Sequence, residues 1–165
     1  MPAGKGRENI SRMINEYGDS VLRMCCVLLK DYHLAEDVAQ ETFIQVMDKY
    51  ETLEDPASEK AWIIKIAVNR CKNEMRRRWF KRESLDSFPE LSGKDPYEHV
   101  DNNDRIFRAI KKLPTKYKEV ILLYYYQELS AAEIGAILNI KETAVLQRLK
   151  RGRDKLKKEM EEADE

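Results

Sequence analysis

Residues Leu129 to Arg153 read LSAAEIGAILNIKETAVLQRLKRGR, and no other stretch confines the architecture so tightly. The pattern predicts two short helices of different surface chemistry joined by one tight turn, a helix-turn-helix. Ser130 is placed to cap the first helix, with Glu133 three residues on reaching back in capping-box fashion. Ile134, Ile137 and Leu138 supply its apolar side, and Asn139 ends it, being the residue after glycine that best tolerates a left-handed turn. In the second helix Val145, Leu149, Gly152 and Leu156 share one face. Thr143, Gln147, Lys150, Arg151 and Asp154 fall roughly opposite. That outward face suits a DNA major groove: the Gln147 amide pairs with an adenine edge, and Arg148, Lys150 and Arg151 offer cations for phosphates or guanines. The plainer alternative is a solvated basic face on an ordinary helical bundle.

The formal net charge of zero conceals how the charges are arranged. Residues 60–82 hold nine Lys or Arg against Glu74 alone, and residues 141–158 hold eight against Glu142 and Asp154. The two segments carry +8 and +6, so the remaining chain carries −14. Segregation on this scale predicts two separate electropositive surfaces joined by acidic material, and a polyanionic partner that meets both.

Apolar spacing is helical nearly throughout the 165 residues, and no segment reads as a strand. Charged residues make up 36% of the chain, which fits small helical domains with much surface better than one large core. No apolar run reaches membrane-spanning length, since Arg23 interrupts Val21 to Leu29, and the start does not read as a signal peptide. Cys25, Cys26 and Cys71 are odd in number and two are adjacent, so reduced packing thiols in a cytoplasmic protein are expected. Two histidines far apart, His33 and His99, offer no metal site.

Between Glu83 and Asn103, Pro89, Gly93 and Pro96 break the helical pattern, and six acidic residues face Lys94. An all-α chain of two small domains is therefore expected: 1–82, a flexible acidic linker at 83–103, and 104–165 with the helix-turn-helix. Helices are predicted near Glu8–Lys30, Leu34–Tyr50 and Ala61–Phe80, then near Asp104–Lys112, Lys116–Glu128, Ala131–Leu138 and Glu142–Glu162. Leu113-Pro114 separates the first two helices of the second set.

In the first domain, AEDVAQETF from Ala35 puts Asp37, Gln40 and Glu41 on one exposed acidic side, either a docking face or simply solvated. In the third helix Trp62, Ile63, Ile66 and Ala67 precede Asn69, Lys72, Asn73, Arg76, Arg77 and Arg78, followed by Trp79 and Phe80. Cations interleaved with amides and aromatics suit single-stranded nucleic acid, where bases stack and cations follow the backbone. Trp62 is equally at home in the core.

These segments carry a family resemblance that covers nearly the whole chain. AEDVAQETFIQVM from Ala35 resembles the core-binding helix of bacterial sigma factors of the extracytoplasmic function group. AWIIKIAVNRCKNEMRRR from Ala61 resembles the helix that melts and reads the minus-10 promoter element, and LPTKYKEVILLYYYQELSAAEIGAIL from Leu113 resembles the domain leading into the minus-35 reader. The resemblance implies that Asp37, Gln40, Glu41 and Phe43 dock on the clamp helices of RNA polymerase's largest subunit. It implies that Asn69 lies beside an extruded minus-10 base, with Trp62, Lys65, Asn73, Arg76 and Arg77 near the bases or backbone. The segment between Tyr50 and Lys60 would correspond to the variable loop that forms the pocket for that base. Thr143, Gln147, Arg148, Lys150 and Arg151 would face the minus-35 element. Leu146, Thr143 and Lys141 depart from the residues common in the family, Lys141 standing where a capping Ser is usual.

The same resemblance implies core RNA polymerase and promoter DNA as partners, an anti-sigma factor, and neither catalysis nor a cofactor. The acidic linker would either occupy a channel built for nucleic acid or act as a solvated tether. Two other functions fit parts of the sequence: a stand-alone helix-turn-helix regulator, and an enzyme acting on nucleic acid. The second lacks both a metal cluster and a nucleophile paired with a base.

Overall fold

The computed structural model describes residues 3–84 and 104–163, and among them the chain is helical with no strand. It divides into two compact units, Met1–Lys94 and Asp95–Glu165. Most of the predicted linker, 85–103, lies outside the described residues.

The first unit is a three-helix bundle of α1 (Ala3–Leu29), α2 (Tyr32–Lys49) and α3 (Glu59–Ser84). Met13, Val21, Val38, Val46, Ile63 and Ile64 are fully buried between the helices, each such side chain contributing about 1.5–3 kcal/mol. The α1–α2 corner is sharp: Lys30 adopts a left-handed φ of 55°, and Asp31 caps α2 by accepting from the Leu34 amide at 3.2 Å. Arg78 of α3 also reaches the Asp31 carboxylate and the Leu29 carbonyl, so the corner is tied to the third helix. Desolvation pushes the Asp31 carboxyl up, but the Leu34 amide and the Arg78 guanidinium outweigh it and hold it below its ordinary range. α3 continues to Ser84, past the expected end at Phe80, since the first strong helix breaker is Pro89.

All three cysteines are free and buried, and the Cys25 and Cys71 sulfurs lie 3.5 Å apart between α1 and α3. The hydrogen bond with Cys71, together with burial, pushes the Cys25 thiol well up, which keeps it protonated and inert.

The second unit packs α4 (Asp104–Lys111), α5 (Thr115–Ile121) and α6 (Ala131–Leu138) against α7 (Glu142–Ala163). Ile110, Val120, Ile121, Ile134, Val145 and Leu149 form its core. The single helix expected over Lys116–Glu128 is not observed. α5 stops at Ile121 and continues as a π turn, Leu122–Tyr126, closed by Gln127 N–H donating to the Leu122 carbonyl at 3.0 Å. Along this turn Leu122 and Leu123 are buried while Tyr124, Tyr125 and Tyr126 are exposed. Glu128, at φ 56°, then ends the segment.

Candidate nucleic-acid interface

The helix-turn-helix forms as the sequence dictates. The Glu133 amide donates to Ser130 Oγ at 3.1 Å, and the Ser130 amide donates to Glu133 Oε1 at 3.0 Å, completing the capping box. Asn139 is left-handed at φ 58°, ψ 46°. Gly135 has a role the sequence reading missed: a Cβ there would lie 2.8 Å from the Ile140 carbonyl oxygen, so only glycine lets the turn fold back this closely. A glycine inside an otherwise good helical pattern was the available signal.

On α7, Val145, Leu149 and Gly152 are buried against the rest of the unit, with Gly152 admitting Ile121 at 3.1 Å from its would-be Cβ. Thr143, Gln147, Lys150 and Arg151 are exposed on the opposite side. Thr143 and Gln147 line a concavity of about 570 Å³ with Asn139, Ile140, Lys141 and Ala144, at the mouth of the turn. Arg148 lies apart, half-buried on the flank, and the exposed apolar Leu146 takes its place beside the outward strip. Lys116 and Lys155 lie over the Tyr117 ring, and Arg151 reaches its hydroxyl. Desolvation raises that phenol, but Lys116 and Arg151 outweigh it and hold it below its ordinary value.

On α3 the buried side is Ile63, Ile66, Ala67 and Val68, whereas Lys65, Asn69, Asn73 and Arg76 form one exposed strip with half-buried Trp62 at its upper end. Trp62 is neither fully in the core nor fully exposed. Three further cations of the helix are held by acidic or polar groups. Arg70 bonds Glu41 at 2.7 Å and Gln45 at 2.9 Å, Arg77 bonds Glu74 at 2.9 Å, and Arg78 is committed to Asp31. Arg77 therefore sits off the strip that holds Asn69, in a concavity shared with Asp37 and Glu41. Trp79 and Phe80, over half exposed, meet edge-on with ring centroids 5.5 Å apart.

On α2, Asp37, Gln40 and Glu41 are exposed, but Phe43 is buried. Phe43 and Gln40 line an apolar groove of about 590 Å³ between α1 and α2, with Ile10, Ile14, Leu22, Ile44 and Met47. Ile44 and Met47 are more than half exposed, and the sequence reading passed over both. The signal was an apolar pair at i and i+3 beginning four residues after Gln40, one helical turn further along a side judged polar.

Two family matches follow the two units. Residues 13–81 match Sigma-70 region 2, and residues 103–156 match Sigma-70, region 4. Among curated proteins, the ECF RNA polymerase sigma factor SigW of Bacillus subtilis (strain 168) is 30% identical over 162 residues, spanning 90% of this chain and 87% of that protein. The chain belongs to the sigma-70 family, in its extracytoplasmic function (ECF) group. SigM of the same organism is 28% identical over 152 residues, 90% of this chain and 93% of that one. The fold is shared with Bartonella quintana RpoE, solved with the anti-sigma factor NepR, at TM-score 0.82, 20% identity, 93% of this chain and 98% of that one. It is shared also with CnrH, solved with the cytosolic domain of CnrY, at TM-score 0.69, 23% identity, 96% of this chain and 91% of that one.

This ECF sigma factor is a transcription initiation factor that binds core RNA polymerase and promoter DNA and directs promoter-specific transcription. A stand-alone regulator needs only the second unit, and the match over the first does not favour that alternative. Among the described residues no helix is long and apolar enough to cross a membrane.

Proposed function

We propose that the sigma factor divides its work among three helices. α7 reads duplex at the minus-35 element, with Gln147 on a base edge and Thr143, Lys150 and Arg151 beside it. α3 meets the melted minus-10 strand through Trp62, Lys65, Asn69, Asn73 and Arg76. α2 docks on core polymerase through Asp37, Gln40 and Glu41, continuing into the groove floored by Phe43. The working domains are 1–82 and 104–165, joined by the segment 83–103. The protein acts in the cytoplasm without catalysis of its own, and an anti-sigma factor binds it, a reading supported by RpoE having been solved with the anti-sigma factor NepR.

The observation that carries this reading is the exposed strip on α3, where two amides, Asn69 and Asn73, lie between the cations Lys65 and Arg76 on the side opposite buried Ile63, Ile66 and Ala67. A strip of this kind holds unstacked bases, and unstacking costs a few kcal/mol that base contacts and phosphate neutralisation must offset. The polar side of α2 beside an apolar groove has the mixed character of a protein–protein contact.

Core RNA polymerase pull-down, followed by transcription from a genomic fragment library with the reconstituted holoenzyme, tests the reading. The expected result is initiation at a small set of promoters, with thymines near the start site becoming permanganate-reactive. Binding to duplex DNA without polymerase, and no start site defined by the holoenzyme, would overturn it.

A further inference from the structure

Glu59, the first residue of α3, is a carboxylate only 7% exposed. Arg12 grips it with both guanidinium nitrogens, Nη2 to Oε1 at 2.5 Å and Nη1 to Oε2 at 3.1 Å, and the Tyr17 hydroxyl donates to Oε2 at 3.1 Å. Arg12 and Tyr17 both belong to α1, so the contact spans more than forty residues of sequence. The two-pronged geometry fixes direction as well as distance, and the negative charge also suits the first turn of a helix. Desolvation, then Glu59 itself, pushes the Tyr17 phenol above its ordinary value, and Glu59 raises Arg12, so Tyr17 keeps its proton and Arg12 its charge at neutral pH.

The segment immediately before it is open to solvent. Residues 51–58 are exposed apart from half-buried Leu53, and form two short 3₁₀ turns. Thr52 and Asp55 bond near neighbours, Thr52 Oγ1 donating to the Lys49 carbonyl and Asp55 Oδ1 accepting from the Ala57 amide. The downstream end of the loop is thus anchored by the Glu59 cluster, and the same anchor sets the rotation of the helical turn that presents Trp62.

We propose that Glu59, held by Arg12 and Tyr17, is a positioning residue that sets the loop 51–58 against the Trp62–Asn69 face and so governs the choice of minus-10 base. This rests on the reading of that loop as the pocket for the extruded base.

The test uses reconstituted holoenzyme on a promoter recovered from the genomic library, and compares it with versions substituted at single minus-10 positions. The variants are Glu59→Leu, Glu59→Gln, the charge swap Arg12→Glu with Glu59→Arg, and Val21→Ala, which loosens the same bundle away from the loop. The readout is the ratio of opening rates on native and substituted promoters, beside core binding and the thermal midpoint of the free protein. Glu59→Leu is expected to lower the ratio on the order of tenfold with core binding intact. Glu59→Gln, which keeps an acceptor for Tyr17, is expected to lower it less, and the swap to recover part of it. Val21→Ala is expected to lower the midpoint and leave the ratio unchanged. If Glu59→Leu and Glu59→Gln leave the ratio unchanged while replacement of loop 51–58 shifts it, the anchor has no part in base choice and this proposal fails alone. If loop replacement also leaves the ratio unchanged, the pocket reading itself is wrong. A ratio lowered equally by Val21→Ala reduces Glu59 to a purely structural residue and overturns the proposal.

Discussion

α3 and α7 each carry a run of cations on one long helix, but they dispose of them in opposite ways. On α7 the outward strip Thr143, Gln147, Lys150, Arg151 is open to solvent, and its buried edge is apolar, so the helix is a rigid rod with its chemistry facing away from the fold. On α3 Arg70, Arg77 and Arg78 turn to Glu41, Glu74 and Asp31, leaving Lys65, Asn69, Asn73 and Arg76 to face outward. A positive balance counted along a sequence therefore overstates the charge offered to a partner where acidic residues of a neighbouring helix lie within reach. The amides and the half-buried Trp62 distinguish the α3 strip, as expected of a surface that meets bases rather than an intact duplex.

The largest expected effect concerns the acidic residues that face α3. Asp37→Arg should abolish co-purification with core polymerase while the circular dichroism of the free protein stays helical, because a reversed charge on a complementary contact costs several kcal/mol. Asp37 is the cleaner choice over Glu41, whose reversal would also repel Arg70. Undiminished co-purification would place the docking face elsewhere.

Gln147→Ala should relax preference at one minus-35 base pair by about 1–3 kcal/mol, measured as competition between promoter fragments for the holoenzyme. A uniform loss over all fragments would instead make Gln147 a backbone contact and erase the contrast with α3.

Gly135→Ala should weaken duplex reading through the fold. The clash with Ile140 costs up to about 3 kcal/mol, against about 1 kcal/mol gained in helix propensity. The expected outcome is a lower thermal midpoint and weaker minus-35 binding, with opening of a promoter already melted by a mismatched bubble preserved. An unchanged midpoint would mean the turn yields easily.

The smallest effect is pH-dependent. Asp31 is held below its ordinary pKa of about 3.9, so its link to Arg78 stabilises the fold above that value and is lost as pH falls through the folded-state value. The difference in thermal midpoint between the protein and Asp31→Asn should be constant near neutrality and shrink below about pH 4. A difference that persists in acid would mean that Arg78 is not held by the carboxylate charge.

Much of this was legible in the sequence because it rests on local rules. Ser130, Glu133 and Asn139 announce a cap, a box and a left-handed stop within ten residues, and the spacing of Val145, Leu149 and Gly152 assigns the faces of α7 without any tertiary knowledge. The strip on α3 was legible only in part: Asn69, Asn73 and Arg76 stood in the run of amides and cations, but so did Arg77 and Arg78, which turn to Glu74 and Asp31. What escaped depends on contacts distant in sequence. Arg70 and Arg78 find partners on or beside α2, Glu59 finds its own on α1, and nothing in the spacing of charges reveals which will be consumed internally. The π turn at Leu122–Tyr126 escaped because three adjacent tyrosines read as helix by propensity, whereas the core accepts only the two leucines before them.

The central claim is that α3 acts on melted DNA and α7 on duplex. Permanganate reactivity measured with Asn69→Ala and Gln147→Ala holoenzymes, on a native promoter and on one opened in advance by a mismatched bubble, tests it most directly. Asn69→Ala should bind core polymerase normally, open the native promoter slowly, and regain part of its activity on the bubble. Gln147→Ala should be impaired in recruitment to the native promoter, with the bubble restoring little unless the minus-35 element is removed from both. Equal rescue of the two variants, or normal opening by Asn69→Ala with normal sequence preference, would contradict the division of labour between the two helices.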